Sequence, residues 1–197
     1  SAERIRMELT KILVSDHPDR LRDLYELGIT KVVLAEFDKM MVTPQKNIHH
    51  AYSVGEHTIR AVCAVGGKIK ENRFSVQERS ILRWTMLLHD IEKPGTISLG
   101  KDGQNHFYGH QEKGAKTARR ILKDLKFDNE TLEAVVHLVR WHDYGFPLTP
   151  VGIRKTSAKI GKEYMELFFE VKFADTTGKN PNILSDKFKQ INQAKLL

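Results

Sequence analysis

Histidine and aspartate stand side by side at His89-Asp90, inside the apolar run from Leu82 to Ile91, and Lys93-Pro94-Gly95 closes the segment. Imidazole and carboxylate both ligate divalent metals, and burying either among hydrophobic side chains is costly unless something pairs with it. A bound cation would pair with both. Further residues of the same chemistry fall on apolar stripes. His57 follows Val54 by three and precedes Ala61 by four, on the face of Val65. His142 extends Val135, Leu138 and Val139, Asp175 extends Leu167, Phe168 and Val171, and His110 shares a face with Gly114, Thr117 and Ile121. Residues three and four apart lie on one side of a helix, so these polar groups point where core side chains point. As structural residues, each would need its own buried partner. A shared metal centre built from His57, His89, Asp90, His110, His142 and Asp175 satisfies them together.

The other histidines lack this placement. His137 aligns with Ala134, Arg140 and Trp141 on a different face, and His17 precedes Pro18 in an exposed turn. His49 and His50 fall in a loop at the surface or the mouth of a pocket, and His106 lies in the loop segment Asn105-His106-Phe107-Tyr108. A second pair, His142-Asp143, ends a helical pattern before Tyr144-Gly145-Phe146-Pro147. There Asp143 reads as solvated or as a support behind the ligands, so His142 is kept as a ligand and Asp143 is not.

The elements that must position these groups are helical. Ile5, Leu9, Ile12 and Leu13 form one stripe, Asp16 and Pro18 open a second helix that Gly28 closes, and a third runs from Val32 to Met41. Gln45 to Tyr52 is a polar loop. Ser53-Val54-Gly55-Glu56 and Ser75-Val76-Gln77-Glu78 have the pattern of capping boxes, the second opening the helix expected to carry His89 and Asp90. Pro94, Gly95, Gly100, Asp102 and Gly103 make a loop or a short hairpin. Helices follow over 109–125, 129–141, 149–160 and 162–174; Gly178, Asn180 and Pro181 then precede an amphipathic helix through Ile183, Leu184, Phe188 and Ile191. No long alternating pattern, repeat or low-complexity tract is present. The expected fold is all-α: a helical bundle over 45–180 with a small N-terminal helical annex over 1–44, and a C-terminal helix over 181–197 packed on the bundle or extending it.

With 197 residues, 40% hydrophobic and 29% charged, the chain is long enough for one domain with a full core. No apolar run approaches the roughly 20 residues that span a bilayer. No signal-peptide pattern opens the chain. The single cysteine, Cys63, rules out an internal disulfide, fits a reducing cytoplasm, and reads as buried filler in an apolar helical stretch. A net charge of +7 favours anionic partners such as nucleotides, RNA or acidic metabolites. The chain begins at Ser1 with a helical pattern almost at once, and so reads as a fragment of a longer protein or a processed chain.

The order His57, then His89-Asp90-Ile91 with Lys93-Pro94, then Asp175 resembles the HD superfamily of metal-dependent phosphohydrolases. More closely, the chain is similar to the C-terminal region of bacterial tRNA nucleotidyltransferase/poly(A) polymerase family (CCA-adding) proteins that carry an HD domain. The similar stretches are 49–58, 106–110 with Gly114-Ala115, Leu138-Val139-Arg140-Trp141-His142, Ala174-Asp175-Thr176 and, for a preceding helical neck, 3–9. The resemblance implies one metal on His57, His89, Asp90 and Asp175, and a second on His110 and His142 with Asp90 as bridge. Imidazole-rich sites suit Fe, Mn, Ni, Co or Zn better than Ca, and Mg stays among the candidates. The implied chemistry is metal-assisted phosphoester hydrolysis on nucleotides or 2',3'-cyclic phosphate ends, with Asp90 and Lys93 in the catalytic machinery. Lys93 and Arg60 would contact substrate phosphate. The implied partners are a phosphorylated nucleotide or an RNA 3' end, including tRNA, with no membrane. An alternative is a tRNA-binding module, using the N-terminal helices and the basic stretch Lys116 to Lys126, for a nucleotidyltransferase head absent from this chain. Two departures stand out. Glu92 replaces the glycine usual after His-Asp-Ile, and Gly66-Gly67 has no acidic pair beyond it, so no nucleotide addition is expected of this chain alone.

Overall fold

The computed structural model describes residues 1–45, 52–65, 73–179 and 184–196. His49, His50, Gly66, Gly67, Asn180, Pro181 and Ile183 lie outside them. Among the described residues the protein is all-α apart from one two-stranded ribbon. At the centre stands α6 (Val76–Leu88), buried on every side from Ile81 to Leu88. A helix apolar all round must be enclosed, and α1 (Ala2–Val14), α5 (Val54–Ala64), α9 (Asn129–Trp141) and α11 (Met165–Thr177) surround it. Arg83 is the charged exception in that run, beside the polar Thr85. Its guanidinium donates to the carbonyls of Leu13 at 3.0 Å and Val65 at 2.9 Å, tying the ends of α1 and α5 to α6.

The N-terminal stripes give shorter pieces than their periodicity predicts. Pro18–Arg20 is a 3₁₀ turn leading into α2 (Leu21–Glu26), and Gly28 at φ +72° turns the chain. The helix expected over Val32 to Met41 is two, α3 (Thr30–Val33) and α4 (Ala35–Val42), broken where Leu34 takes φ −157° and is buried. Ser75 and Glu78 form the full reciprocal capping box. Ser53 caps α5, but Glu56 does not complete the box: its carboxylate is held by Arg22 at 2.8 and 2.9 Å and by Arg60. Cys63 is exposed rather than buried filler, because it shares the outward stripe of Glu56 and Arg60 while the other face of α5 enters the core.

Beyond α6, the short α7 (Lys93–Thr96) leads to β1 (Ser98–Leu99), which pairs antiparallel with β2 (Asn105–His106). The short hairpin anticipated there is present. Then α8 (His110–Asp124) and α9 form a close pair, joined through Lys126 at φ +60°. Next comes α10 (Pro150–Ile160). The last core segment is a 3₁₀ turn, Lys162–Tyr164, followed by α11, which carries on past Ala174 and so includes Asp175; α12 (Leu184–Lys195) packs against α11. Among the described residues no helix is long and apolar enough to cross a membrane.

Candidate metal centre

The six expected ligands are buried and lie together. His57 comes from the first half of α5 and Asp175 from the last turn of α11. His89 and His142 each sit one residue past the last helical residue of α6 and α9, and His110 is the first residue of α8. The His89-Asp90 pair is therefore not inside its helix but at the exit, where the backbone leaves the ladder and frees Asp90 to face other elements. The divided carboxylate of Asp90 organises the cluster. Its Oδ2 stands 3.1 Å from His89 Nε2 and 3.5 Å from His57 Nε2. Its Oδ1 stands 3.4 Å from His110 Nε2 and 3.6 Å from His142 Nε2. Within each imidazole pair the Nε2 atoms are 3.2 Å apart. Asp175 Oδ1 approaches His57 Nε2 at 3.1 Å and His89 Nε2 at 3.8 Å. Two donors about 2.0–2.1 Å from one ion, at octahedral or tetrahedral angles, are themselves about 2.8–3.4 Å apart. Most of the observed spacings fall in this range, and the widest, His89 to Asp175 at 3.8 Å, exceeds it.

Proton accounting tests the fit. Nδ1 of His89, His110 and His142 each lies 2.7 Å from a carbonyl three residues earlier: Met86, Phe107 and Val139. A carbonyl only accepts, so each Nδ1 carries a proton, and each ring, when neutral, offers its Nε2 lone pair. Burial pushes the His142 imidazole down, towards the neutral form. With both rings in that form, His110 Nε2, His142 Nε2 and Asp90 Oδ1 are three acceptors with no proton among them, an arrangement a cation relieves. In the other group burial also pulls His89 down, but the carboxylates of Asp90 and Asp175 outweigh it and hold its basicity above the usual value. His57 goes the other way, because burial dominates its shift. Without a cation, protonated His89 can donate to neutral His57, and a divalent ion would take that proton's place. The donor set fits a divalent metal in both groups.

Two ammonium groups complete the electrostatics. Lys93 Nζ pairs with Asp90 Oδ2 at 2.8 Å and donates to Gln45 at 2.9 Å, while Lys179 Nζ pairs with Asp175 Oδ2 at 2.5 Å. Burial would raise both carboxyls, yet the positive groups around them hold Asp90 and Asp175 well below the usual carboxylate range. Both lysines open onto a cavity of about 410 Å³ that also exposes Asp90, His110, His142 and Asp175. A larger apolar recess of about 850 Å³ lies between α1, α6 and the turn after α8, and contains none of the six expected ligands.

Arg60 does not join the cluster. It is exposed, bonded to Glu56 at 2.8 Å and lying over the Tyr52 ring at 3.9 Å, and it does not line the cavity. Glu92 points away as well, accepting from Thr117 on α8 at 2.6 Å. Asp143 does line the cavity, where it accepts from Gln111 at 3.1 Å. His137 bonds the carbonyl of Ile160 and is structural. Lys179, Lys187 and Tyr108 are cavity residues that the sequence reading missed. Lys179 follows Asp175 by four, a helical spacing that could have shown it. At Gly178 a Cβ would stand 2.8 Å from His57 Nδ1 and from its carbonyl oxygen, so glycine lets the end of α11 close on α5.

Comparison with known families agrees with this geometry. The profile of the HD domain matches residues 48–176. The chain belongs to the HD domain family. HD domains bind divalent metals, and the His and Asp groups of this one are of the kind that could hold them. A second profile, described as "Probable RNA and SrmB- binding site of polymerase A", matches residues 1–41 ahead of the HD domain. Over 146 residues the chain is 30% identical to the multifunctional CCA protein of Actinobacillus pleuropneumoniae, covering 73% of this chain and 34% of that protein. It is 34% identical over 142 residues to the CC-adding tRNA nucleotidyltransferase of Thermus thermophilus, covering 71% and 31%. To the bifunctional uridylyltransferase/uridylyl-removing enzyme of Cereibacter sphaeroides it is 27% identical over 199 residues, covering 89% and 20%. The chain thus spans about a third or less of the length of these relatives.

Proposed function

We propose that this HD domain is a phosphatase or phosphodiesterase acting on nucleotides or on 2',3'-cyclic phosphate ends, within a protein related to tRNA nucleotidyltransferases. The observation that carries the reading is the Asp90 carboxylate, shared between two imidazole pairs in the wall of a lysine-bearing cavity. Divalent cations, when bound, supply a water nucleophile near neutral pH and stabilise negative phosphoryl oxygens. His57, His89, Asp90 and Asp175 would hold one ion, and Asp90, His110 and His142 a second. The Nδ1 hydrogen bonds keep three of the four imidazoles aimed at those positions. Lys93 would hold a phosphoryl oxygen, and its pairing with Asp90 keeps that carboxylate ionised and in place. Arg60, engaged with Glu56 and Tyr52, is left out of this role. The relatives' names support a nucleotide-bearing substrate, since one removes uridylyl groups and others act on tRNA. We place the HD domain at 45–180, the annex at 1–44 and the terminal helix at 181–197, in a cytoplasmic protein.

The test is hydrolysis of a phosphoester panel, including a nucleoside 2',3'-cyclic phosphate, with Mn, Ni, Co, Zn and Mg. Metal-stimulated turnover should fall at least about a hundredfold in His89→Ala and Asp90→Ala. If no phosphoester is turned over while tRNA still binds, the second reading holds instead: a tRNA-binding module, which the profile match over residues 1–41 favours. That binding should weaken steeply with salt if phosphates are contacted.

A further inference from the structure

An aromatic pair at the mouth of the cavity takes no part in the metal chemistry. The Tyr108 ring is stacked on His106, with centroids 5.3 Å apart and planes 5° from parallel, and Tyr108 is 76% exposed. So open a ring fills no core. Its position is nevertheless fixed: Tyr108 Oη lies 3.2 Å from His106 Nδ1, and His106 Nε2 lies 3.2 Å from both carboxylate oxygens of Asp102. The hairpin beneath is anchored by Asn105, which donates to the carbonyl of Pro44 at 3.0 Å.

We propose that Tyr108, braced by His106, is the platform on which the base of the substrate nucleotide stacks, so that this end of the cavity is a nucleobase subsite. The proposal rests on the phosphohydrolase reading for its substrate but on separate residues for its geometry. The strand ends at His106, and Tyr108 lies in the turn that follows, closed by the hydrogen bond from His110 N to the Phe107 carbonyl at 3.3 Å. His106 and Tyr108 form the outer stack, whereas Phe107 between them lies under Lys93, its ring centroid 5.3 Å from Nζ. Gly109, at φ +73°, then turns the chain directly into the metal-site residue His110. Five consecutive residues thus carry the platform, the support of the phosphate-binding lysine and a metal-site imidazole. A cavity of about 410 Å³ falls within the roughly 300–1,000 Å³ usual for small-ligand sites. An aromatic face gives base affinity with little sequence preference, and a platform already in place loses little entropy on binding.

The test uses the full chain with Mn²⁺ and two cyclic phosphodiesters, adenosine 2',3'-cyclic phosphate and the base-free glycerol 1,2-cyclic phosphate. Tyr108→Ala should raise KM for the nucleotide about tenfold, the order of one lost base stack, with kcat retained and the glycerol ester unaffected. Tyr108→Phe keeps the ring and should stay within about twofold of the original KM. An equal change for both esters, or no change for the nucleotide, would overturn the platform and leave Tyr108 as a brace of the hairpin. If neither ester is turned over, the phosphohydrolase reading fails by itself. Calorimetric binding of adenosine 3'-monophosphate against inorganic phosphate then decides the platform, which requires Tyr108→Ala to weaken only the nucleotide.

Discussion

Replacing Asp90 by Asn should destabilise the metal-free protein, and the reason lies in Lys93. The Lys93 ammonium is 7% exposed and its carboxylate partner, 2.8 Å away, is Asp90. An amide in place of the carboxylate leaves a buried positive charge beside a neutral group, and breaking a buried pair from one side costs about 3–5 kcal/mol. At about 2–4 °C per kcal/mol for a chain of this length, Tm in chelator should fall by about 6–20 °C. Adding Lys93→Met to Asp90→Asn removes the stranded charge and should recover most of the loss. Neither variant should regain metal-induced stabilisation, which in the unaltered protein is about 4 kcal/mol at a thousandfold excess of Mn²⁺ over Kd. Thermal unfolding followed by circular dichroism, with chelator and then with Mn²⁺, reads all of these. A Tm that rises in Asp90→Asn would refute the reasoning, for it would mean that the buried carboxylate is a net burden that Lys93 does not offset.

Four further outcomes follow. The carboxyls of Asp90 and Asp175 are depressed on folding, so their stabilisation is complete above the unfolded value of about 3.9 and disappears as pH falls through the folded values. The His57 and His142 imidazoles are depressed and lose stability for the chelated protein below about pH 6.5, while His89 is raised and works the other way. Two groups against one predict a net loss, and a urea midpoint that rises between pH 7 and pH 5 would contradict this. Arg83→Met leaves the buried carbonyls of Leu13 and Val65 without their guanidinium donor and should cost about 2–4 kcal/mol, seen as a lower urea midpoint at unchanged m. Glu92→Gln neutralises the unusual carboxylate yet keeps an acceptor for Thr117. Because that group faces α8 rather than the cavity, kcat/KM for an anionic phosphoester should change by less than about twofold, and a tenfold rise would show that it repels substrate.

The helices and the burial of the His and Asp side chains are legible in the sequence because both follow from one regularity. A polar residue repeated on an apolar stripe has to be buried, and His57, His142 and Asp175 could be read that way from spacing alone. What could not be read is which oxygen of Asp90 meets which imidazoles, since that depends on four elements converging far apart in sequence. Spacing also placed His89-Asp90 within α6, although the helix ends at Leu88 and only the turn beyond it lets the carboxylate face both ways. Arg60 stays away from the cavity for a similar reason. Its position one turn from His57 is real, but Arg22 brings Glu56 into reach and together with Tyr52 the guanidinium is claimed on the outer face. Cys63 was misplaced by composition where the stripe through Glu56 and Arg60 would have placed it correctly.

The carbonyls that orient His89, His110 and His142 have a consequence for engineering. In each case the acceptor is the residue three positions upstream, within the same turn of chain. The orienting partner therefore travels with its ligand as a four-residue cassette, and no distant element has to be redesigned to aim the ring. Transplanting the His110–His142 half of the centre into another helical bundle reduces to placing two helix ends and one carboxylate at the right separation. His57 and Asp175 offer no such shortcut, because Gly178 must bring α5 and α11 almost into backbone contact before those two side chains meet.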